Sequence, residues 1–227
     1  MNCLWCDAEI IPEINWENLF TLSKPKNLCS DCEKKFSILE GKRCRKCSRI
    51  SEEPFCLDCK RWDVHGENDD PLVLNFSVFN YNEQMQDMIS RWKYRGDYCI
   101  GNSFKRYYTK AFDQEFTYLP KDTIAVPIPL SDERMKERGF NQSLQLASFL
   151  SLETCELLTR VHGEKQSKKT RKERISTLNP FKIMKTINKP VILTDDIYTT
   201  GSTLRHAASL LKEKGCPTVY ALTLVRG

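Results

Sequence analysis

The stretch Val191-Ile192-Leu193-Thr194-Asp195-Asp196-Ile197-Tyr198-Thr199-Thr200-Gly201-Ser202-Thr203-Leu204 decides the fold. Val191–Thr194 reads as a buried strand that delivers two adjacent carboxylates to its C-terminal end. A hydroxyl-rich turn follows. Leu204, Ala207, Ala208 and Leu211 then recur at i, i+3, i+4, i+7, which is one face of a helix with Gly215 as its C-cap. Ligands of open α/β sheets bind at this edge. Backbone N–H groups at Thr200–Thr203, with the positive end of the helix dipole, suit a phosphate. Gly201 lets the backbone approach closely. Asp195 and Asp196 suit sugar hydroxyls or a divalent ion instead. The plainer alternative is a capped helix with a Ser/Thr turn. The strand and both acids in front of it favour the phosphate site.

Working outward, Val219–Val225 closes the chain as another strand, and Leu72–Tyr81 and Thr123–Pro129 read as two more. Met85, Met88, Ile89 and Trp92 mark one helical face. Further helices are expected over Ile100–Phe112 and over Asn141–Leu150, with Leu146, Phe149 and Leu150 on one side. Strands alternating with helices predict an α/β fold: a mostly parallel sheet flanked by helices on both faces. After Pro127-Ile128-Pro129, Arg134 and Arg138 precede Gly139-Phe140-Asn141-Gln142. These arginines suit pyrophosphate through bidentate contacts, or form a solvated basic turn. Arg160–Arg174 carries seven Lys/Arg against Glu164 and Glu173. Lys165, Lys168, Lys169, Arg171, Lys172 and Arg174 are the candidate contacts there for a phosphate-rich strand. Phe140, Tyr198 and Trp92 are candidates for base stacking, Trp92 being better suited to the core.

Eight of the 11 cysteines lie in residues 3–59, in four CxxC pairs: Cys3/Cys6, Cys29/Cys32, Cys44/Cys47 and Cys56/Cys59. Two intervening residues let a tight turn aim both thiolates at one ion, and four thiolates close a tetrahedral structural zinc site. Redox pairs would need a thioredoxin-like βαβ unit, which is not visible here. Sequential pairing gives two zinc sites; spacing alone also permits a cross-braced pairing. Cys99, Cys155 and Cys216 read as packing residues. Polar, turn-rich residues 63–71 mark a boundary between a Cys-rich zinc-ribbon domain (1–65) and the α/β domain (71–227), read as separate folding units. The formal charge of +5 falls to about +1 once eight thiolates hold two zinc ions, so net charge alone does not establish nucleic-acid binding. No apolar run reaches the roughly 18 residues of a membrane span, and no secretory signal is visible, so the expected compartment is cytoplasmic.

The apolar strand, two acids and T-T-G-[ST]-T turn resemble the phosphoribosyl-pyrophosphate (PRPP) loop of type I phosphoribosyltransferases. With the CxxC-rich start, Trp92-Lys93-Tyr94-Arg95-Gly96-Asp97, Val126-Pro127-Ile128-Pro129-Leu130, Glu137-Arg138-Gly139-Phe140-Asn141-Gln142, Lys165-Gln166-Ser167, and Arg171 with Arg174, nearly the whole chain resembles the ComF family. That resemblance implies a double zinc ribbon joined to a type I phosphoribosyltransferase-like domain. The implied PRPP or phosphate ligands are Asp195, Asp196, Thr199, Thr200, Gly201, Ser202, Thr203, Arg134 and Arg138, with Mg²⁺ accompanying PRPP. The basic run stands where such enzymes carry a hood. The family further implies uptake of single-stranded DNA in natural transformation, beside a ComFA-type helicase and with recruitment to membrane-side uptake machinery. Many type I enzymes carry a base three residues after the second acid, where this chain has Thr199. A hydroxyl supplies no general base near neutral pH. A DNA-uptake factor binding PRPP-like phosphates or single-stranded DNA is therefore the favoured reading. An active Mg²⁺-dependent phosphoribosyltransferase and a zinc-ribbon adaptor for a helicase are the alternatives.

Overall fold

The computed structural model describes residues 1–11, 26–62, 70–160 and 179–227. The helices are α1 (Ser30–Lys34), α2 (Leu57–Trp62), α3 (Glu83–Tyr94), α4 (Asn102–Glu115), α5 (Asp132–Arg138), α6 (Gln142–Ala147) and α7 (Ser202–Glu213). The strands are β1 (Asn75–Asn80), β2 (Ile124–Pro127), β3 (Glu153–Thr154), β4 (Leu158–Arg160), β5 (Phe181–Ile183), β6 (Val191–Tyr198) and β7 (Val219–Arg226). Five strands make one sheet in the order β1-β7-β6-β2-β3, every neighbouring pair parallel. β4 and β5 form a separate antiparallel pair at the two ends of residues 161–178. The basic residues expected to form a hood, Lys165, Lys168, Lys169, Arg171, Lys172 and Arg174, lie outside the described residues.

A parallel sheet buried on both faces needs apolar residues at successive positions, and Val191, Ile192 and Leu193 are all fully buried. Alternate residues feed two cores. Ile192 and Leu222 pack with the stripes of α3 (Met85, Met88, Ile89, Trp92), α4 (Phe104, Tyr108) and α6 (Leu146, Ala147). Val191, Leu193, Val219 and Ala221 pack with Leu204, Ala207, Ala208 and Leu211 of α7 on the other side. Both α3 and α7 thus show the face read from their spacing. β6 runs four residues past the expected Thr194, carrying the acids inside the strand.

The Cys-rich segment does not stand apart. Cys3 and Cys32 belong to the first core, and Cys44, Cys47, Cys56 and Cys59 to the second. Phe36 lies 4.9 Å from Phe79 and 5.5 Å from Tyr107, ring to ring. Leu39 N–H donates to Val78 C=O (2.9 Å), and Asn75 and Asn80 N–H donate to Lys46 and Ser37 C=O (both 2.8 Å). The segment therefore wraps β1, placing one cysteine unit against each core.

Candidate functional site

The two cysteine units share one local design. Asp7 follows Cys6 at φ 61° and Ser48 follows Cys47 at φ 60°. Each closes the knuckle by donating its N–H to the first cysteine of the pair: Asp7 to Cys3 (2.9 Å), Ser48 to Cys44 (3.0 Å). A short bridge flanks each turn, Asn2 with Glu9 and Arg43 with Ile50, and each second pair sits at a short helix, α1 or α2. The grouping is sequential. Cys3, Cys6, Cys29 and Cys32 form one cluster and Cys44, Cys47, Cys56 and Cys59 the other, with all sulfurs of a cluster within 4.8 Å of one another. Sulfur separations of 3.7 Å (Cys6–Cys29) and 3.6 Å (Cys47–Cys56) match the edge of about 3.8 Å expected for tetrahedral Zn–S bonds of about 2.3 Å. Hydrogen bonds from Cys47 and Cys59 hold the Cys44 thiol well below the ordinary range, while the same contact pushes Cys47 up to about 11. Four sulfurs sharing protons this closely are chemically suited to a divalent cation. Of the other cysteines, Cys216 is buried, Cys155 half-buried and Cys99 exposed, so Cys99 is not a packing residue.

A second site lies at the C-terminal edge of the sheet, a cleft of about 470 Å³. Asp195, Asp196, Thr199, Thr200, Gly201, Ser202, Thr203, Arg134 and Arg138 all line it. The turn from β6 to α7 is fixed from within. Thr200 Oγ1 accepts from Ser202 N–H (3.4 Å) and lies 2.8 Å from Ser202 Oγ. Gly201 has φ 79°, the left-handed region, and a Cβ there would run into the Tyr198 hydroxyl and the Arg205 guanidinium. Only glycine fits. α7 has no side-chain N-cap. Its first turn therefore opens toward the cleft with the positive end of its dipole.

Beneath the loop lies a buried ion pair. Arg205 donates from NH2 to Asp70 Oδ2 (2.8 Å), from Nε to Asp70 Oδ1 (3.1 Å) and from NH1 to the Tyr198 hydroxyl (2.8 Å). Its guanidinium also stacks 4.6 Å over the Trp62 ring, three residues beyond Cys59. Lys46, between Cys44 and Cys47, lies 4.0 Å from Asp70. The second cysteine unit is thus linked to the loop glycine through Arg205.

The arginines come from α5, a helix where the sequence suggested a loop, either binding pyrophosphate or forming a solvated basic turn. Ser131 caps it by accepting Arg134 N–H, and Gly139 ends it at φ 79°. Helical spacing of i, i+4 puts Arg134 and Arg138 on one face. Arg138 is buried. It donates from NH1 to Gln142 Oε1 (3.0 Å) and stacks 5.4 Å from the Tyr94 ring, and its Nε has no partner. Arg160 of β4 also lines the cleft; burial, then repulsion from Arg134, pushes its guanidinium down, as Arg138 does further. Three arginines crowd a single space. Lys93 of α3 completes the cations, with its ammonium 2.6 Å from Asp196 Oδ2. Neither Lys93 nor Arg160 stood out as a site residue in the sequence. Two of the stacking candidates are unavailable: Trp92 is fully buried with Nε1 donating to Gln145 (2.9 Å), and Tyr198 is 2% exposed. Phe140 is half-buried against Tyr98.

Asp195 is partly buried, accepting from Ser143 Oγ (3.0 Å) and from the Asp196 N–H (2.9 Å). Burial first, and the Asp196 charge second, pushes its carboxyl up to about 7. An unfolded carboxyl titrates near 4. The folded state therefore favours the protonated acid: this contribution to stability is full below about pH 4 and is lost as pH rises through about 7. Thermal unfolding of wild type and Asp195→Asn across that window should show the variant gaining relative stability toward high pH. A pH-independent difference would contradict the shift.

Fold and cleft together define a parallel α/β protein with a cation-lined pocket at the C-terminal sheet edge and two four-cysteine units. No family model matches the chain. Competence protein ComFC of Bacillus subtilis is 39% identical over 228 residues, covering 99% of this chain and 94% of that protein. Competence protein ComFC of Streptococcus pneumoniae is 33% identical over 229 residues and 100% of both chains. Competence protein F of Haemophilus influenzae is 27% identical over 87% of this chain and 96% of its own length. The chain belongs to the ComF family of competence proteins. Among solved structures, a hypoxanthine phosphoribosyltransferase of Staphylococcus aureus is similar at 18% identity and a TM-score of 0.35, over 56% of this chain and 64% of that one. Among the described residues no helix is long and apolar enough to cross a membrane.

Proposed function

We propose that this protein serves natural transformation by binding a phosphorylated ligand of the PRPP type in a type I phosphoribosyltransferase-like domain, residues 71–227. Zinc in residues 1–65 steadies that domain. One observation carries the reading: the acids, the Thr-Gly loop and both arginines line one cleft. In that cleft the first turn of α7 holds a 5′-phosphate through its N–H groups and the Thr and Ser hydroxyls. Asp195 and Asp196 take ribose hydroxyls, and Arg134, Arg138 and Arg160 take pyrophosphate. Closed four-cysteine sites leave no open position on the metal, so the zinc is structural. The names of its relatives support a competence role; on the family resemblance, that role is single-stranded DNA uptake beside a ComFA-type helicase, in the cytoplasm.

The test is calorimetric titration of PRPP into wild type and into the Asp195→Ala, Asp196→Ala double variant. Wild type should bind. The variant should fold, by circular dichroism, and lose at least about tenfold in affinity, the typical loss of one charge-assisted hydrogen bond or more. Equal affinity in the two proteins would return the loop to a plain helix cap.

A further inference from the structure

A phosphoribosyltransferase-like site implies Mg²⁺, a hard ion that takes oxygen ligands at about 2.1 Å in near-octahedral geometry. Among the described residues lining the cleft, the only carboxylates are Asp195 and Asp196. Asp196 is already paired with a cation, and Asp195 is engaged through one oxygen. Lys93 Nζ sits 2.6 Å from Asp196 Oδ2, with each side chain 12% exposed. Asp195 Oδ1 accepts from the Ser143 hydroxyl and the Asp196 N–H. An ion coordinated directly by Asp196 would share the carboxylate with an ammonium close enough for strong repulsion and poorly screened by solvent. Asp196 therefore does not fit direct metal coordination, and Asp195 alone offers an ion at most one carboxylate, short of a protein-built octahedral site.

We propose that Lys93 is the resident cation of this cleft: it neutralises Asp196 and presents its charge to the phosphorylated ligand in place of a protein-bound divalent ion. Three features converge on this role. Lys93 lies next to Trp92, which is fully buried, so the end of α3 is firmly seated and the ammonium is delivered from a rigid element. The neighbouring Tyr94 ring packs against Arg138, which ties Lys93 to the arginines on α5. Among the described residues lining the cleft, Lys93, Arg134, Arg138 and Arg160 face two acids, so these side chains leave an excess of positive charge for an anion. Lys93 is accordingly a specificity-determining residue: it selects a phosphate ligand that does not depend on a metal held by the protein. This rests on the phosphate-ligand reading above, although the occupancy of Asp196 by Lys93 does not.

Two measurements on the zinc-loaded full chain separate those claims. Mn²⁺ titration followed by electron paramagnetic resonance needs no ligand. Wild type should show no tight Mn²⁺ site, Lys93→Met should gain one, roughly tenfold tighter or more, and Lys93→Met with Asp196→Asn should lose it again. Lys93→Arg, which keeps the charge, should behave like wild type and covers the case in which Lys93→Met does not fold. A tight wild-type Mn²⁺ site that vanishes in Asp196→Asn would overturn the proposal. The second measurement is calorimetry of inorganic pyrophosphate in Mg²⁺-free buffer. Wild type and Lys93→Arg should bind, with Lys93→Met at least roughly tenfold weaker. Binding to wild type only when Mg²⁺ is added would also overturn the proposal. If pyrophosphate fails to bind wild type with or without Mg²⁺ while the Mn²⁺ series behaves as expected, the phosphate-ligand reading falls and the hold of Lys93 on Asp196 stands.

Discussion

Arg205→Met should lower the melting temperature by about 6–12 °C and weaken PRPP binding, although Arg205 does not line the cleft. Arg205 is 3% exposed, and its guanidinium makes four hydrogen bonds to Asp70 and Tyr198, Nε being shared between both Asp70 oxygens. Removing it strands Asp70, whose side chain is 4% exposed, with the Leu72 N–H at 3.1 Å and Lys46 at 4.0 Å as its remaining partners and no closer counter-charge among the described residues. Breaking one side of a buried pair typically costs about 3–5 kcal/mol, because the other charge is left uncompensated. At about 2–4 °C per kcal/mol for a chain of this size, the lower figure of about 3 kcal/mol already gives that shift. The Tyr198 hydroxyl and the space against Gly201 lose their filler at the same time. Adding Asp70→Asn to Arg205→Met should return much of the stability, since both charges are then gone. Two strictly additive single losses would show that the pair is not coupled.

Metal removal should have an even wider reach. Structural zinc contributes about 10–16 kcal/mol of apparent binding energy in small units that fold only around it. Here the cysteines are embedded in both cores of the sheet. Chelation should therefore abolish a single cooperative unfolding transition for the whole chain and not merely for its first 65 residues. Cys47→Ser should release one metal per chain and destabilise more than Cys6→Ser, because Cys47 is buried and Cys6 exposed. Acidification should release metal as thiolates regain protons. Zinc counted with a colorimetric chelator, alongside calorimetric melting, checks both statements. An α/β part that melts unchanged after chelation would restore the picture of two separate folding units.

Local patterns were legible in the sequence and long-range pairings were not. The faces of α3 and α7 were readable because Met85, Met88, Ile89 and Trp92, and then Leu204, Ala207, Ala208 and Leu211, keep helical spacing, and all are buried. The cysteine pairs were legible, and so was their sequential grouping as the simplest pairing; the choice against cross-bracing needed the sulfur positions. The repeat formed by the knuckle turns after Cys6 and Cys47 is carried by backbone geometry more than by residue identity. α5 had a readable signal that went unused: Ser131 followed by acidic residues, then Gly139 at the end, is a capped helix. β6 ran longer than its apolar core suggested, because a strand can carry Asp195 and Asp196 when Ser143 and Lys93 meet them. Lys93 was hidden beside an apolar stripe, where a lysine ordinarily points to solvent. Arg205 with Asp70 was out of reach of any local reading, the two being 135 residues apart.

The backbone contacts along β1 have a consequence for the protein before it is finished. β1 is the outermost strand on its side of the sheet, and its sequence Asn75-Phe76-Ser77-Val78-Phe79-Asn80 is uncharged, aromatic and free of proline. Such an edge is a template for unwanted pairing with other chains. The main chain of Ser37, Leu39 and Lys46 occupies it instead. Those residues precede β1 in the chain, so the ribosome releases the cover before the strand that needs it. The hazardous segment thus emerges next to a partner already tethered a few dozen residues away, and a neighbouring nascent chain must compete with that high local concentration.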